Sequence, residues 1–209
     1  MTADNKASDD DSAARELLDR AGMAARERDP DVPATFAAQL YGRTVPEDLL
    51  RYGAVDLAML AARAYALLQE RDAGAPKIRC ASVDLTDSGD RRSIGVVEIV
   101  NDDMPFLLDS VMGELAERRI VVRLVAHPVI GVERDGARLV AIGGPGAGAR
   151  ESFIHLHVDG LADAAACADL TKAIETILAE VRLAVVDWRP MLDRVNGIVA
   201  ELKVNPPPL

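Results

Sequence analysis

The chain has 209 residues, of which 49% are apolar and only 3% aromatic, and a formal net charge of −10. That length holds one good-sized domain or two small ones, and the composition fits a globular core built from Ala, Val, Leu and Ile. The negative charge repels nucleic-acid phosphates and anionic lipid surfaces, so neither nucleic acid nor membrane is expected as a partner.

Residues 1–12 carry Asp4, Asp9, Asp10 and Asp11 among small polar residues and read as a disordered acidic tail. No charged-then-apolar leader opens the chain, and no apolar run reaches the roughly 18 residues of a membrane span. A cytoplasmic location is therefore expected. Residues 13–76 form a helical segment. A first helix covers 14–27 with Leu17, Leu18 and Met23, and a second starts near Pro33 ahead of Phe36 and Leu40. Pro46 opens a third, and a fourth covers 55–70 with Leu57, Leu60, Ala61, Tyr65 and Leu67 at helical spacing. Small apolar helices of this kind pack on a neighbour rather than stand alone. The breaker 73–76, Ala-Gly-Ala-Pro, ends the segment.

From there the period becomes strand-like. Residues 77–85 and 92–101 flank the turn-forming cluster 86–90 and predict a β-hairpin. A helix over 105–119 follows, then a long strand over 121–133, a turn at 134–136 and a strand over 137–142. The glycine-rich loop 143–149 leads to a strand over 152–158. From about residue 162 a long helix carries Leu170, Ile174, Ile177, Leu178, Val181, Val185 and Trp188 as one apolar stripe. Pro190 kinks or divides that helix, and 191–209 read as its end and a linker.

This order from 92 onward is the start of a βαββαβ, ferredoxin-like unit without its last strand. The extra strand 77–85, paired antiparallel with 92–101, fills the vacant edge. Pro128 inside the strand 121–133 fits an edge position, where a missing N–H is tolerated. The strands are apolar on both faces: Ile94, Val96 and Val100 alternate with Val97 and Ile99. Two helices cover only one face of a small sheet, so the other is expected to meet the N-terminal helices, a second copy or further chain. Trp188 and Arg189 fall at such a contact or in the core.

The loop Asn101-Asp102-Asp103-Met104-Pro105 joins the first strand of this unit to its first helix. Its acids, with Asp109 one turn on, suit either helix capping or a carboxylate site. Asn and Asp accept from orphan helix N–H groups, and Pro is preorganised for a first turn, so capping is the expected role. A hard-metal site wants oxygen ligands from converging segments, and no second acidic segment is placed to supply them. His155 and His157 alternate on one strand face, and with His127 on a neighbouring strand they offer three imidazoles. Zinc would need a fuller ligand set, so the expected role is to line the sheet face or a contact. Cys80 and Cys167, far apart in sequence, fit neither a disulfide framework nor a metal knuckle and are expected as reduced, buried thiols. Ser110 lies within a helix and outside any nucleophile-elbow motif. No catalytic residue, cofactor site or metal site is assigned.

The run Asp103-Met-Pro-Phe-Leu-Leu with Val111, Leu115, Ala116 and Ile120 resembles the opening of ACT regulatory domains. Together with LVAHPVIGVERDG, ESFIHLHVD and VRLAVVDWRPM, it closely resembles the N-terminal region of the very large bacterial NAD-specific glutamate dehydrogenases, across about residues 30–200. The resemblance implies an α+β fold, with an N-terminal helical segment and an ACT/ferredoxin-like antiparallel sheet over 77–190 bearing helices on one face. It implies a regulatory or oligomerisation role inside a homo-oligomeric enzyme whose catalytic part, with NAD, lies in the remainder of the polypeptide. Gly143-Gly-Pro-Gly-Ala-Gly148 does not match the dinucleotide-binding spacing and joins two strands. ACT domains bind amino-acid effectors at the loop after the first strand, which makes Asn101, Asp102, Asp103, Met104 and Pro105 the ligand-binding candidates. Phe106 stands where those domains carry a glycine, and its ring obstructs close approach. A free-standing amino-acid-binding module is the alternative reading.

Overall fold

The structure, a computed structural model, describes residues 2–86, 92–143, 148–161 and 163–204. The predicted hairpin turn at 87–90, most of the glycine-rich loop and the tail 205–209 lie outside the described residues. Four helices come first: α1 (Thr2–Arg28), α2 (Phe36–Tyr41), α3 (Pro46–Leu49) and α4 (Ala54–Leu68). The strands β1 (Lys77–Leu85) and β2 (Arg92–Asp102), the helix α5 (Leu107–Glu117), and the strands β3 (Val122–Ala126), β4 (Val129–Asp135), β5 (Arg138–Gly143) and β6 (Ala149–Val158) follow. The helix α6 (Ala164–Val204) closes the described chain.

The strands form one antiparallel sheet in the order β1-β2-β6-β4-β5, with β3 also paired to β6. The hairpin β1–β2 is in register from Lys77↔Val100 to Leu85↔Arg92, so the extra strand does occupy the vacant edge. The strand predicted over 121–133 is broken at His127-Pro128 into β3 and β4, which lie end to end along the same side of β6. Proline supplies no ladder N–H, yet its carbonyl still accepts from the Phe153 N–H at 2.9 Å, so the break keeps the chain on β6. β5 reaches only Gly131–Asp135 of β4 and leaves the stretch around Pro128 at an edge.

The two sheet faces carry two cores. On one, α5 and α6 cover Val97, Ile99, Ile154 and Leu156 with Leu107, Val111, Leu115, Leu170, Ile174 and Leu178. On the other, the N-terminal helices cover Val96, Val100, Leu124 and Phe153 with Phe36, Leu40, Leu57, Leu60 and Leu68. Of the three coverings open to the second face, the N-terminal helices supply it. The small residues Ala21 and Ala25 of α1 and Ala61 and Ala64 of α4, all fully buried, let these helices pack closely. Gly22 lets the connection between α1 and α2 fold back onto α1, because a Cβ there would sit 1.9 Å from the Ala34 carbonyl oxygen.

Two boundaries differ from expectation. α1 begins at Thr2 and takes in the acidic stretch expected to be disordered; carboxylates in the first turns of a helix favour its dipole. α6 runs through Pro190 without ending there.

Candidate functional site

The acidic loop does not cap α5. That helix starts at Leu107, and its N-cap position is Phe106, in a left-handed conformation (φ 70°, ψ 1°) with no side-chain cap bond. The expectation that Asp102 or Asp103 seats the helix is therefore corrected: both carboxylates are committed to arginines instead. Asp102 is the last residue of β2, and Pro105 precedes the helix by two residues rather than opening it. Asp109 does lie in the first turn, where its charge suits the dipole.

Asp102 stands directly opposite Glu151 in the β2–β6 register, and like charges at such positions repel. Arg71, just beyond α4, resolves the conflict. Its Nη2 donates to Asp102 Oδ1 at 2.7 Å and to Glu151 Oε1 at 2.8 Å, and its Nη1 donates to the Ala75 carbonyl. Arg134 of β4 grips Glu151 with two bonds, Nε to Oε1 at 2.7 Å and Nη2 to Oε2 at 2.8 Å. Arg182 of α6 donates to Asp102 Oδ2 and to Asn101 Oδ1, each at 3.0 Å. Burial alone would raise the Glu151 and Asp102 carboxyls, but the bonds from these arginines hold both below the usual carboxylate range. The network thus ties α4, β2, β4, β6 and α6 at one end of the sheet.

The other members of the predicted loop are less engaged. Asp103 pairs with Arg150 at 3.0 Å near the surface, Met104 packs on the α5–α6 core, and Pro105 is exposed. Asn101 is buried, and its amide Nδ2 has no partner.

Further along the N-terminal face of the same two strands lies a second polar group. Glu98 pairs across the register with His155, and Val96 with His157. Arg79 of β1 donates from Nε to Glu98 Oε2 at 2.6 Å. The Tyr41 hydroxyl meets His155 Nε2 at 3.0 Å, which in turn lies 2.9 Å from His157 Nε2. His155 Nδ1 stands 3.4 Å from Glu98 Oε1. Burial would raise Glu98, but its bonds from His155 and Arg79 bring it down to about 2. Burial, then the His155 and Arg92 charges, push His157 well below its ordinary value, while burial raises Tyr41. All four of Tyr41, Glu98, His155 and His157 are shut off from solvent, so this group anchors α2 to the sheet rather than meeting a substrate. His127 is elsewhere, bonded to Ser152 Oγ at 2.7 Å. Among the described residues no three His, Cys, Asp or Glu side chains converge as metal ligands.

The most exposed apolar surface is on α6. Val185 is the last residue of the helix packed on the sheet core, and Trp188, Leu192, Val195, Val199 and Leu202 follow it at alternating steps of three and four residues. That spacing is the a/d seam of a helix packing against another helix. Trp188, Leu192, Val195, Val199 and Leu202 are between 41% and 57% exposed, and Met191 and Ile198 widen the seam on one side. Sequence reading found the first half of the stripe and stopped at Trp188. No described helix is long and apolar enough to cross a membrane.

An antiparallel sheet between two helical layers, with α5 and α6 on one face and β1 at the edge that the last strand of a βαββαβ unit would fill, defines an ACT-like α+β protein. The model of the family "Glutamate dehydrogenase, ACT1 domain" matches residues 36–174, and the chain belongs to that family. It is 32% identical over 178 residues to an NAD-specific glutamate dehydrogenase of Halomonas elongata, with 83% of this chain and 11% of the relative covered. It is 30% identical over 179 residues to an NAD-specific glutamate dehydrogenase of Pseudomonas aeruginosa, with 81% and 11% covered. The chain thus spans about a ninth of the length of these relatives. No solved structure matches it.

Proposed function

We propose that the chain is the N-terminal, non-catalytic region of an NAD-dependent glutamate dehydrogenase. The complete enzyme would convert glutamate, NAD and water to 2-oxoglutarate, ammonia and NADH in the cytoplasm, with the chemistry and the NAD site in the remainder of the polypeptide. The role of this region is structural and regulatory: it docks the N-terminal helices and ACT-like sheet onto that remainder through the second half of α6. One observation carries this reading, the apolar a/d seam from Trp188 to Leu202, about two heptads long, whose side chains stand exposed. The occupant proposed is a helix of the same polypeptide beyond residue 209. The relatives are about nine times as long, and a covalently attached partner acts at high effective concentration.

The test is Val195→Glu in the full-length polypeptide. The docked seam predicts that limited proteolysis cuts the variant within 180–204 much faster than the wild type. Equal cutting would exclude docking there, and a doubled mass of the isolated chain in light scattering would assign the seam to a second copy.

One observation favours a second reading, an amino-acid effector at the 101–105 loop: the buried, unpartnered Asn101 amide beside it. Against it stand the arginines already held by Asp102 and Asp103 and the exposed Phe106 ring. Calorimetric titration with a panel of amino acids decides it, saturable heat supporting the effector site and its absence removing it.

A further inference from the structure

Cys80 and Cys167, distant in sequence, come together at the outer margin of the α5–α6 core. Cys80 sits in the middle of the edge strand β1, opposite Val97, and is half-buried; Cys167 lies in the first turn of α6 and is 7% exposed. β1 packs on α6, and both cysteines line one open groove of about 890 Å³ together with Ser82, Thr171 and Lys172. They are the two cysteines of the chain. We infer that Cys80 and Cys167 are a dithiol modification site, which a hydroperoxide entering this groove converts to an intramolecular disulfide joining β1 to α6.

The roles of the two sulfurs differ. Burial, and the neighbouring Cys167 thiol, push the Cys80 thiol far above its ordinary value, so Cys80 stays protonated and is a poor first nucleophile. Cys167 lies in the first turn of the 41-residue α6 with its side chain on the same groove, and it takes the first oxidation. The Cys167 thiolate attacks the terminal peroxide oxygen; the S–O bond forms, the O–O bond breaks and the leaving alkoxide or hydroxide takes a proton from water. The Cys80 sulfur then attacks the Cys167 sulfur of the resulting sulfenic acid. The S–S bond forms, the S–O bond breaks, and the departing hydroxide leaves as water with the Cys80 proton. Two thiols lose two electrons in total and one peroxide O–O bond is reduced. A small dithiol reverses the step by exchange. The consequence is mechanical. The edge strand becomes covalently joined to the helix that packs on it and carries the exposed seam, and a cross-link between residues so distant restrains the unfolded chain strongly.

The experiment treats the purified 209-residue chain with a small molar excess of hydrogen peroxide, then measures intact mass, free thiols and cross-linked peptides. The expected product is a monomer lighter by two hydrogens, with no titratable thiol, one peptide pair joined through Cys80 and Cys167, and a higher thermal midpoint that dithiothreitol returns to the starting value. Cys80→Ser should stop at a Cys167 sulfenic acid trapped by dimedone, and Cys167→Ser should leave Cys80 unmodified. The inference is overturned if both thiols stay titratable in the folded protein, if the product is a disulfide between two chains, or if Cys167 proceeds to sulfinic acid with Cys80 intact. None of these outcomes depends on the docking of α6.

Discussion

Asp102 and Glu151 face each other across the β2–β6 register, and the Arg71 guanidinium lies between them, 2.7 Å from one carboxylate and 2.8 Å from the other. Arg71 lies just beyond α4 and Glu151 near the start of the central strand β6, so this joint fixes the helical layer to the strands. Arg71→Met leaves the buried Glu151 with Arg134 alone and returns the repulsion with Asp102. Loss of one partner from a buried ion pair costs about 3–5 kcal/mol, and a fall of that order in unfolding free energy by urea titration is expected. Arg150→Ala, which removes the exposed partner of Asp103, should cost less than about 1 kcal/mol. Equal effects from the two substitutions would show that burial of the network does not matter.

The Glu98 carboxylate gives the fold an acid-sensitive step. Its value falls from 4.5 in the open chain to about 2 in the fold, so its ionised form stabilises the protein fully above pH 4.5. That stabilisation, about 3 kcal/mol, is lost as the pH falls through 2. The stability difference between wild type and Glu98→Gln should therefore shrink steadily from pH 4.5 toward 2. A constant gap would contradict the ion pairing with Arg79 and His155.

His157 adds a step at milder pH. Burial first, then the His155 and Arg92 charges, keep it neutral in the fold, well below its ordinary 6.5. A histidine lowered in this way contributes stability above pH 6.5 that is lost as the pH falls below it. His157→Gln should flatten the wild-type decline of thermal midpoint between about pH 6.5 and 5, where an unshifted histidine would titrate. An unchanged slope would assign that decline to other groups.

Phe106 holds the left-handed conformation at the entry to α5 with its ring 65% exposed. A non-glycine residue in that region costs about 1–2 kcal/mol, partly offset by the greater entropy glycine has in the unfolded chain. Phe106→Gly should leave stability unchanged or raise it by up to about 1 kcal/mol. A clear loss would mean that the ring makes a contact the exposed surface does not show.

The order of strands and helices was legible because period and turn residues are local properties. The edge position of 77–85 followed from counting strands, and a second covered face followed from apolar residues on both sides of β2. The role of the acids was not legible. Asp102 beside Asp103 and Pro105 looks like a helix start, but the arginines that bind these acids come from positions 71, 150 and 182, and no local pattern links them. Two signals were present all the same: Glu98 inside the apolar run 94–100 and Glu151 at the head of the apolar strand 152–158 each require a buried cation. The meeting of Cys80 with Cys167 depends on where α6 crosses β1, which spacing does not encode. The α6 seam was within reach, since its three-and-four spacing continues unbroken past Trp188.

Backbone hydrogen exchange over residues 183–204, compared between the isolated chain and the full-length polypeptide, tests the docking of α6 most directly. An uncovered helix end exchanges by local fraying, whereas a docked one opens only with its interface. Docking predicts rapid exchange in the isolated chain and strong protection in the full-length protein. Equally rapid exchange in both, or protection already complete in the dilute isolated chain, would contradict it.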